Sequence, residues 1–375
     1  MRPWEAAARL PRFLVRGELS FCFDDLPMRA RDLDVRAKAN LLLCGLDMLL
    51  LSSRAFGLPP AIQIEPTNLC NLRCPLCPTG AGQMQRGKGC MSMATFRRIL
   101  EELEGALLVA ILYGWGEPFL HDGLPEMIEE CSARGILTVT STNGHFIQTM
   151  DEALRLVDAG LTGLIVAMDG STQAAYETYR RSGDLDRVKR CVAMVEQAKA
   201  LRRSPHPYTN LRVVVTRDNE HELPRIQQFA RDSGVNMFST KSLGCLSHNG
   251  EFRGYEASDP GQRRYEYDGS GRRRRSPVRC PFPFRQPTVF WDGTVVGCEF
   301  DYNLEAAWGR IGEQDFKSIW NGAAARRLRR DMRRGGPRRA FCGLCPYQDR
   351  VSRDEVLWSV ELRPAAERPT GGRGG

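Results

Sequence analysis

The chain is poor in histidine, the side chain that most often titrates near neutral pH, with five in 375 residues. None of the five stands in a recognisable motif, and we expect each to be structural or to face solvent. No apolar stretch is long enough to cross a bilayer, because the Leu-rich run Ala39–Leu51 is short and contains Asp47. Met1–Gly17 carries charges and lacks the apolar core of a secretory signal, so we expect a cytoplasmic protein.

Aromatic-rich strand motifs that would accompany nucleic-acid binding are also missing, although the net charge is +8. The positive charge is uneven: Arg272–Arg275 form one run, and eight more arginines lie between Arg326 and Arg339. The ordinary interpretation of such runs is a solvated surface. The functional interpretation is a basic face for an acidic protein partner. We expect no nucleic-acid partner.

Cysteine, by contrast, is abundant, with thirteen in the chain. Without a secretory signal these thiols are expected to stay reduced. Seven of them form two groups with metal-ligand spacing: Cys70, Cys74 and Cys77 as C-x3-C-x2-C, and Cys280, Cys298, Cys342 and Cys345, the last two as C-x2-C. Thiolates bind both iron–sulfur clusters and zinc. A zinc site that includes Cys90, and a zinc ribbon in the second group, both stay open at this point.

From Ala61 onward, short apolar segments alternate with amphipathic ones. We predict six strands: Ala61–Glu65, Leu108–Tyr113, Leu137–Ser141, Gly163–Met168, Leu211–Thr216 and Val235–Ser239. The helices between them are predicted at Ser92–Glu104, Leu124–Arg134, Met150–Ala159, Thr172–Arg202 and Glu220–Ser233. This alternation indicates an α/β fold with a parallel sheet. Eight units would be needed for a complete TIM barrel, so we predict a partial (β/α)6 barrel with its active site at the C-terminal ends of the strands.

The composition divides the chain into five predicted segments. These are a helical lead-in (1–57), the partial barrel (58–242), a bridge with a basic run (243–279), a small cysteine-rich domain (280–350) and a tail with a disordered end (351–375). The Leu-rich run is expected to form a helix buried against the main domain. Basic residues before it leave membrane-surface contact as an alternative, which is weakened by Asp32 and Asp34.

The segment Ile62–Leu69, leading into the first cysteine group, resembles the radical S-adenosylmethionine (radical SAM) superfamily. The family also uses a partial barrel of six units. The resemblance implies that Cys70, Cys74 and Cys77 hold a [4Fe–4S] cluster whose fourth iron binds S-adenosylmethionine. Reductive cleavage would then give a 5′-deoxyadenosyl radical that abstracts hydrogen from a substrate. A flavodoxin or ferredoxin is implied as low-potential electron donor. Leu76 departs from the family, which usually has an aromatic residue there.

Further marks of the family follow the later strands. Gly114-Trp115-Gly116-Glu117 resembles the motif that contacts the methionine amino group, and glycines there let the backbone approach a ligand closely. By the same resemblance Ser141-Thr142-Asn143 and Asp169 are cofactor-binding residues, and Arg180 is expected to reach the methionine carboxylate. An ordinary turn at the first motif and a surface role for Arg180 are the alternatives.

The second cysteine group, with its C-x12-G-x4-C spacing and an Asp292-Gly293 hairpin turn, resembles the SPASM/twitch auxiliary-cluster domain. Because no cysteine follows Cys345, we predict one auxiliary [4Fe–4S] cluster that takes an electron from the substrate radical. The expected function is oxidation of a small-molecule or peptide substrate. A peptide maturase, epimerase or cross-linking enzyme is the near alternative, and a lipid-linked substrate is a third. A non-catalytic, zinc-stabilised, arginine-rich binding protein is the alternative of another class. No catalytic acid or base is identified.

Overall fold

The computed structural model describes residues 12–244, 252–269, 271–273, 280–336, 339, 341–342, 345 and 356–364. Arg274 and Arg275 of the first arginine run, and the two residues between Cys342 and Cys345, lie outside the described residues. So do residues 365–375, the greater part of the predicted disordered end.

The sequence predicted a helical lead-in, but in the structure this segment also contains two strands. A single helical turn at Arg12–Arg16 precedes a hairpin of β1 (Leu19–Phe23) and β2 (Leu26–Ala30), and helix α1 (Val35–Leu50) follows. The hairpin occupies the barrel interior, where Leu26 and Met28 belong to an apolar cluster with residues of the barrel strands. The alternating burial of β1 explains why it forms a strand: every second side chain faces the barrel.

Six parallel strands form the centre of the sheet and pair in chain order, as predicted. They are β3 (Ala61–Ile64), β4 (Val109–Ile111), β5 (Leu137–Thr142), β6 (Gly163–Ala167), β7 (Tyr208–Val215) and β8 (Met237–Ser242). The helices that cover them are α2 (Met93–Glu102), α3 (Leu124–Ala133), α4 (Met150–Asp158), α5 (Gln173–Tyr179), α6 (Leu185–Arg202) and α7 (Leu223–Ser233). The larger apolar core lies between these helices and the outer face of the strands. The predicted mixed α/β fold is confirmed.

One predicted helix, Thr172–Arg202, is in fact two. The helix α5 ends at Tyr179, and Asp184 begins α6 by accepting hydrogen bonds from the backbone of Asp186 and Arg187. The segment Ser182-Gly183-Asp184 is a local turn and N-cap signal that our prediction overlooked. The break matters because it places Arg180 at the end of α5.

The cysteine-rich region extends the same sheet. After α8 (Phe252–Tyr255), β9 (Tyr267–Asp268), β10 (Gly271–Arg272) and α9 (Phe282–Arg285), the region contributes β11 (Thr288–Val289), β12 (Thr294–Val296) and β13 (Gly309–Arg310). Strands β11 and β12 form the predicted hairpin, with Gly293 at a φ of +86°. Strand β11 also pairs in parallel with β3, so the cysteine-rich region and the barrel share one sheet.

Two short helices complete this region, α10 (Phe316–Trp320) and α11 (Ala323–Arg333). Helix α11 carries the second arginine run, and Arg326, Arg327, Arg330 and Arg333 are exposed. Arg329 is an exception to a solvated run: it is fully buried, with its guanidinium 4.0 Å from the centre of the Trp320 ring. It donates hydrogen bonds to the carbonyl oxygens of Pro283 and Trp320.

The segment predicted as a tail contains a strand. Strand β14 (Val356–Glu361) pairs antiparallel with β8 and closes the far edge of the sheet. The Tyr208 hydroxyl donates to the Glu361 carboxylate at 3.0 Å, which fixes the end of the strand. The strand was missed because it is separated from its partner by more than a hundred residues, so no local signal pairs the two.

The Leu-rich helix also differs from expectation. Burial of its leucines was predicted, but Leu42, Leu43, Leu46, Leu49 and Leu50 are all exposed. The buried side chains of α1 are Ala37, Cys44 and Asp47. No helix among the described residues combines the length and the apolar composition that crossing a membrane would require.

Candidate functional site

The first three cysteines lie on one tight loop directly after β3. Cys74 is buried, and the thiols of Cys70 and Cys77 are near enough to interact with it electrostatically. The Cys77 amide donates to the Cys74 carbonyl at 3.2 Å. The loop then returns so closely that a Cβ on Gly80 would lie 2.5 Å from the Cys74 backbone.

The surroundings of these thiols favour a cationic ligand. Burial raises the pKa of Cys70 to about 12, and it raises the pKa of Cys74 above its ordinary value. Buried thiolates are therefore costly unless a nearby positive charge compensates them. Iron supplies such a charge and deprotonates the thiols that bind it. The donor set, three soft sulfurs on one loop, fits the cluster predicted from the sequence.

Asp169 and Arg180 stand beside the same loop. The Arg180 Nε donates to the Asp169 carboxylate at 2.5 Å, and Arg180 Nη1 lies 3.9 Å from Cys74 Sγ. Asp169 is fully buried and also accepts a hydrogen bond from the Val214 amide at 2.7 Å. The carboxylate thus holds the guanidinium next to the cysteine group. Binding of the cofactor by these two residues stays a prediction.

Glu117 and the end of β5 form a second part of the site. The buried Glu117 carboxylate accepts hydrogen bonds from the Thr142 hydroxyl at 2.9 Å and the Asn143 amide at 2.8 Å. Burial raises the pKa of Glu117 to about 7, even though these hydrogen bonds oppose the rise. Asn143 in turn donates to Asn71 on the cysteine loop at 2.7 Å. Ser141 is half-buried, and its hydroxyl makes no hydrogen bond with the described residues.

Gly116 allows the segment after β4 to contact the loop that carries the first three cysteines. The Glu117 amide donates to the Leu69 carbonyl at 2.8 Å. A Cβ on Gly116 would lie 2.2 Å from the Thr67 carbonyl oxygen and 2.7 Å from that of Leu69. Backbone atoms cannot swing away as the end of a flexible side chain can. The glycine is therefore required by close contact between two backbone segments.

We expect Gly116→Ala to force these two loops apart, at a cost of about 1–3 kcal/mol. Iron content and deoxyadenosine formation of the anaerobically purified protein should both fall. Gly45→Ala is the control, because a Cβ there meets nothing within 4 Å and alanine is favoured over glycine inside a helix by about 0.5–1 kcal/mol. Equal iron content and equal deoxyadenosine formation in the two variants would contradict the expectation.

The second cysteine group also converges. Cys298 follows β12, and its thiol interacts electrostatically with those of Cys280 and Cys345. Cys342 likewise interacts with Cys345 and Cys280, and the Cys345 amide donates to the Cys342 carbonyl at 3.1 Å. Burial raises the pKa of Cys280 to about 11. Within the described ranges, no three His, Cys, Asp or Glu side chains are placed to share a single metal ion.

Trp115 connects the two cysteine groups. Its indole Nε1 donates to the Glu299 carbonyl at 2.8 Å, one residue after Cys298. Its ring packs against Phe300 and Tyr302, with centroids 6.3 Å and 5.7 Å away. The side chain of Trp115 is thus directed to the cysteine-rich region, and binding of the cofactor by this residue stays a prediction. No sequence signal identified that contact.

A buried ion pair missed by the sequence analysis lies between the same regions. The two terminal nitrogens of Arg86, Nη1 and Nη2, donate to the two carboxylate oxygens of Glu65, at 2.6 Å and 2.5 Å. Arg86 Nε donates to the Tyr302 carbonyl, and its guanidinium lies 4.1 Å from the centre of the Phe290 ring. The pair ties the loop after the first cysteine group to the cysteine-rich region. The acidic end of strand β3 was visible in the sequence, but its partner twenty-one residues later was not.

A cavity of about 390 Å³ lies between the hairpin and the cysteine-rich region; it reaches Glu299, next to Cys298, and its lining includes none of the residues predicted to bind the first cluster or S-adenosylmethionine. Its walls come from the hairpin, β3, β4 and the start of the cysteine-rich region, and include Phe21, Ile111 and Phe282. Polar groups line it too: Asp24, Gln63, Lys241 and Glu299. Gln63 donates to Glu299 at 2.7 Å.

Asp24 is the charged group that the hairpin brings to this cavity. Its carboxylate pairs with Arg212 inside the barrel, and Arg212 Nη2 also donates to the Asp24 carbonyl at 2.9 Å. Burial alone would raise the pKa of Asp24, but Lys241 and Arg212 lower it below its ordinary value. The cavity therefore contains a charged carboxylate that no motif in the sequence had indicated.

Comparison with known families decides the assignment. The model of the radical SAM superfamily matches residues 64–230, and the model of the SPASM iron–sulfur cluster-binding domain matches residues 280–346. The chain contains a radical SAM domain followed by a SPASM domain. The radical SAM domain implies a [4Fe–4S] cluster and S-adenosylmethionine, and the SPASM domain implies auxiliary iron–sulfur binding. The cofactor classes predicted from the sequence are thereby confirmed.

Three curated relatives match between half and most of the chain. The PqqA peptide cyclase of Bradyrhizobium diazoefficiens is 27% identical over 48% of this chain and 46% of its own length. The mycofactocin maturase MftC of Mycobacterium tuberculosis is 26% identical over 50% and 46%. The chain thus spans about half the length of these relatives. The pre-heme d1 synthase of Dinoroseobacter shibae is 24% identical over 84% of this chain and 87% of its own.

Solved radical SAM structures share the fold. SuiB of Streptococcus suis superposes with a TM-score of 0.56 at 13% identity, covering 77% of this chain and 71% of SuiB. The structure of anSMEcpe with bound AdoMet gives 0.54 at 17% identity, covering 72% and 79%. At these identities the likeness concerns the fold alone.

Proposed function

We propose that this radical SAM protein oxidises a C–H bond of a small molecule or peptide, with one auxiliary cluster taking an electron. The observation that carries the proposal is the direct connection between the two cysteine groups. Trp115 follows β4 in the motif beside Cys70 and is hydrogen-bonded to the residue after Cys298. A protein that used its second group only to stabilise a fold would not need this connection.

The chain's own residues have distinct roles in this proposal. Cys70, Cys74 and Cys77 hold one cluster, and Cys280, Cys298, Cys342 and Cys345 hold the other. When bound, these clusters and S-adenosylmethionine supply a radical that takes a hydrogen atom from the substrate and an acceptor for the second electron. Arg180, held by Asp169, offers a positive charge beside Cys74 for an anionic group of the cofactor.

The cavity supports a substrate whose reacting part is small. A volume of about 390 Å³ lies near the lower end of the range for small-molecule sites. It accommodates a small metabolite, or one or two side chains of a peptide. The relatives point to both classes, since two are named as a peptide cyclase and a maturase and a third as a pre-heme d1 synthase. Lys241 and Asp24 are positioned to orient polar groups of either substrate.

The auxiliary group provides the experiment that separates catalysis from zinc-based stability. We expect Cys342→Ala/Cys345→Ala to retain about four of the eight irons that two four-iron clusters contain. The variant should still cleave S-adenosylmethionine reductively, which is measured as deoxyadenosine formed with dithionite as reductant. Substrate oxidation should be lost, because the second electron has no acceptor.

Cys22→Ala is the control for iron content alone, because this cysteine belongs to neither group, although it lines the cavity. It should keep all its iron. Stoichiometric zinc in the purified wild type, with no iron and no deoxyadenosine, would establish the binding-protein alternative instead. Complete loss of deoxyadenosine in the double variant would contradict the separate roles of the two groups.

A further inference from the structure

The most unusual surface of the molecule is the outward side of α1. Val35, Leu42, Leu46, Leu49 and Leu50 follow the three-to-four-residue spacing that places side chains on one helical stripe. All five are exposed, and Leu49 is 83% exposed. Leu43 is exposed at the edge of this stripe. We call these six residues the leucine face.

The orientation of the helix is fixed by polar contacts on its other side. Asp47 is 1% exposed and accepts hydrogen bonds from the amides of Phe56 and Gly57. Asn40 bonds both backbone polar groups of Leu58, at 2.8 Å and 2.9 Å. Rotating α1 to bury its leucines would break these hydrogen bonds. The polar groups that make them would then be left without other hydrogen-bond partners. The sequence therefore directs the leucines outward.

Other apolar side chains extend the leucine face. Leu14 and Val15, on the helical turn before the hairpin, are exposed, and the Lys38 ammonium donates to the Leu14 carbonyl at 2.9 Å. A contiguous apolar area of this kind marks an interaction site in a folded protein.

The charges around the leucine face are mainly positive. Arg16, Arg36 and Arg54 are exposed, and Lys38 is half-buried. Asp32 and Asp34 are exposed and offset part of this charge, with Asp34 also capping the N-terminus of α1, whereas Asp47 is buried. Aliphatic side chains flanked by arginine and lysine match the boundary between acyl chains and anionic headgroups. Protein interfaces instead favour aromatic side chains, and leucine is uncommon among their strongest contacts.

We propose that the leucine face docks this protein on an anionic lipid bilayer. The helix lies on the surface, with its leucines in the headgroup region and its basic residues at the phosphates. Leu41, on the inward side of α1, lines the cavity described above. Docking therefore places the cavity wall one helix away from the bilayer. The inference does not depend on the proposed function, because binding is measured without turnover.

The test is co-sedimentation of the full-length, anaerobically purified protein with two kinds of vesicle. One contains phosphatidylcholine alone, and the other contains phosphatidylcholine with phosphatidylglycerol. We expect binding to the anionic vesicles that weakens as salt is raised. Leu42→Ser/Leu46→Ser/Leu49→Ser should weaken vesicle binding on the order of 100-fold, because each substitution removes an apolar side chain that docking would bury in the bilayer.

Two further variants make the test specific. Leu201→Ser removes a leucine that is 65% exposed on α6, outside the leucine face, and should leave binding unchanged. Arg36→Gln/Lys38→Gln keeps every leucine and should weaken binding to anionic vesicles. Iron content equal to wild type shows that each variant is folded.

The outcomes are distinct. Absence of binding to both vesicles, or equal binding by the wild type and the triple leucine variant, would overturn the proposal. A concentration-dependent dimer in sedimentation velocity, lost in the triple variant and accompanied by no vesicle binding, would assign the leucine face to a second copy of the chain instead.

Discussion

Replacing Cys70, Cys74 and Cys77 by alanine should remove about half of the iron and all deoxyadenosine formation. A chain with two four-iron clusters holds about eight irons, and this variant should retain about four. The physical reason is that the remaining sulfur ligands belong to the SPASM region, whose thiols interact among themselves. The measurements are iron analysis and anaerobic incubation with S-adenosylmethionine and dithionite.

The matched control is Cys90→Ala. Cys90 lies on the same loop, and its backbone bridges to Thr67. Its thiol is exposed, with the Thr67 hydroxyl 3.4 Å away. The sequence left it open as a fourth zinc ligand. Under the cluster assignment this variant keeps all its iron and its activity. An unchanged iron content in the triple variant, or equal losses in both, would contradict the assignment of the three cysteines.

Arg86→Met should produce the largest loss of stability among single substitutions in the site. Glu65 is fully buried, and removing its partner leaves an uncompensated carboxylate. Breaking a buried ion pair in this way costs about 3–5 kcal/mol. The free energy of unfolding of the reconstituted protein, measured anaerobically by urea titration, should fall by that amount. Loss of the contact with the Tyr302 carbonyl should also loosen the connection to the SPASM region.

A surface pair of similar geometry is the control. Arg98 and Glu102 are 2.6 Å apart, but the Arg98 side chain is 45% exposed. Exposed pairs contribute about 0–1 kcal/mol, so Arg98→Met should have little effect. The double variant Glu65→Gln/Arg86→Met should recover part of the stability lost in Arg86→Met, because no buried charge remains unpaired. A small effect of Arg86→Met alone would show that water reaches the Glu65 carboxylate.

Much of the site could be anticipated from local pattern. Short spacings such as C-x3-C-x2-C hold their ligands on one loop, so the chain itself brings Cys70, Cys74 and Cys77 together. The glycine at position 116 was predicted to permit close approach to a ligand, which stays a prediction; the structure shows that it permits close contact with the carbonyl oxygens of Thr67 and Leu69. The six strands and their parallel order were also predictable, because alternation along the chain leaves few ways to connect them.

Interactions between distant residues were the part that local pattern missed. Trp115 was assigned to the cofactor because its motif follows β4, yet its indole contacts the residue after Cys298. The partner of Glu65 could not be recognised among the arginines of the chain, since charge alone does not indicate which of them is buried. The break at Arg180 is a different case, because Ser182-Gly183-Asp184 is a local turn and N-cap signal that our prediction overlooked.

The amino-acid sequence by itself indicated two groups of cysteines with cluster-ligand spacing, a parallel α/β fold and the radical SAM and SPASM domains. Ligand type and short spacing are local properties, so they survive without knowledge of the fold. Only the tertiary structure decided that the hairpin packs against the barrel strands, that β14 pairs with β8 at the edge of the sheet and that the leucines of α1 face outward. Those outcomes depend on which distant groups become neighbours, as with Asp47 and the backbone of Phe56, and pairing over such separations leaves no periodic signal in the chain.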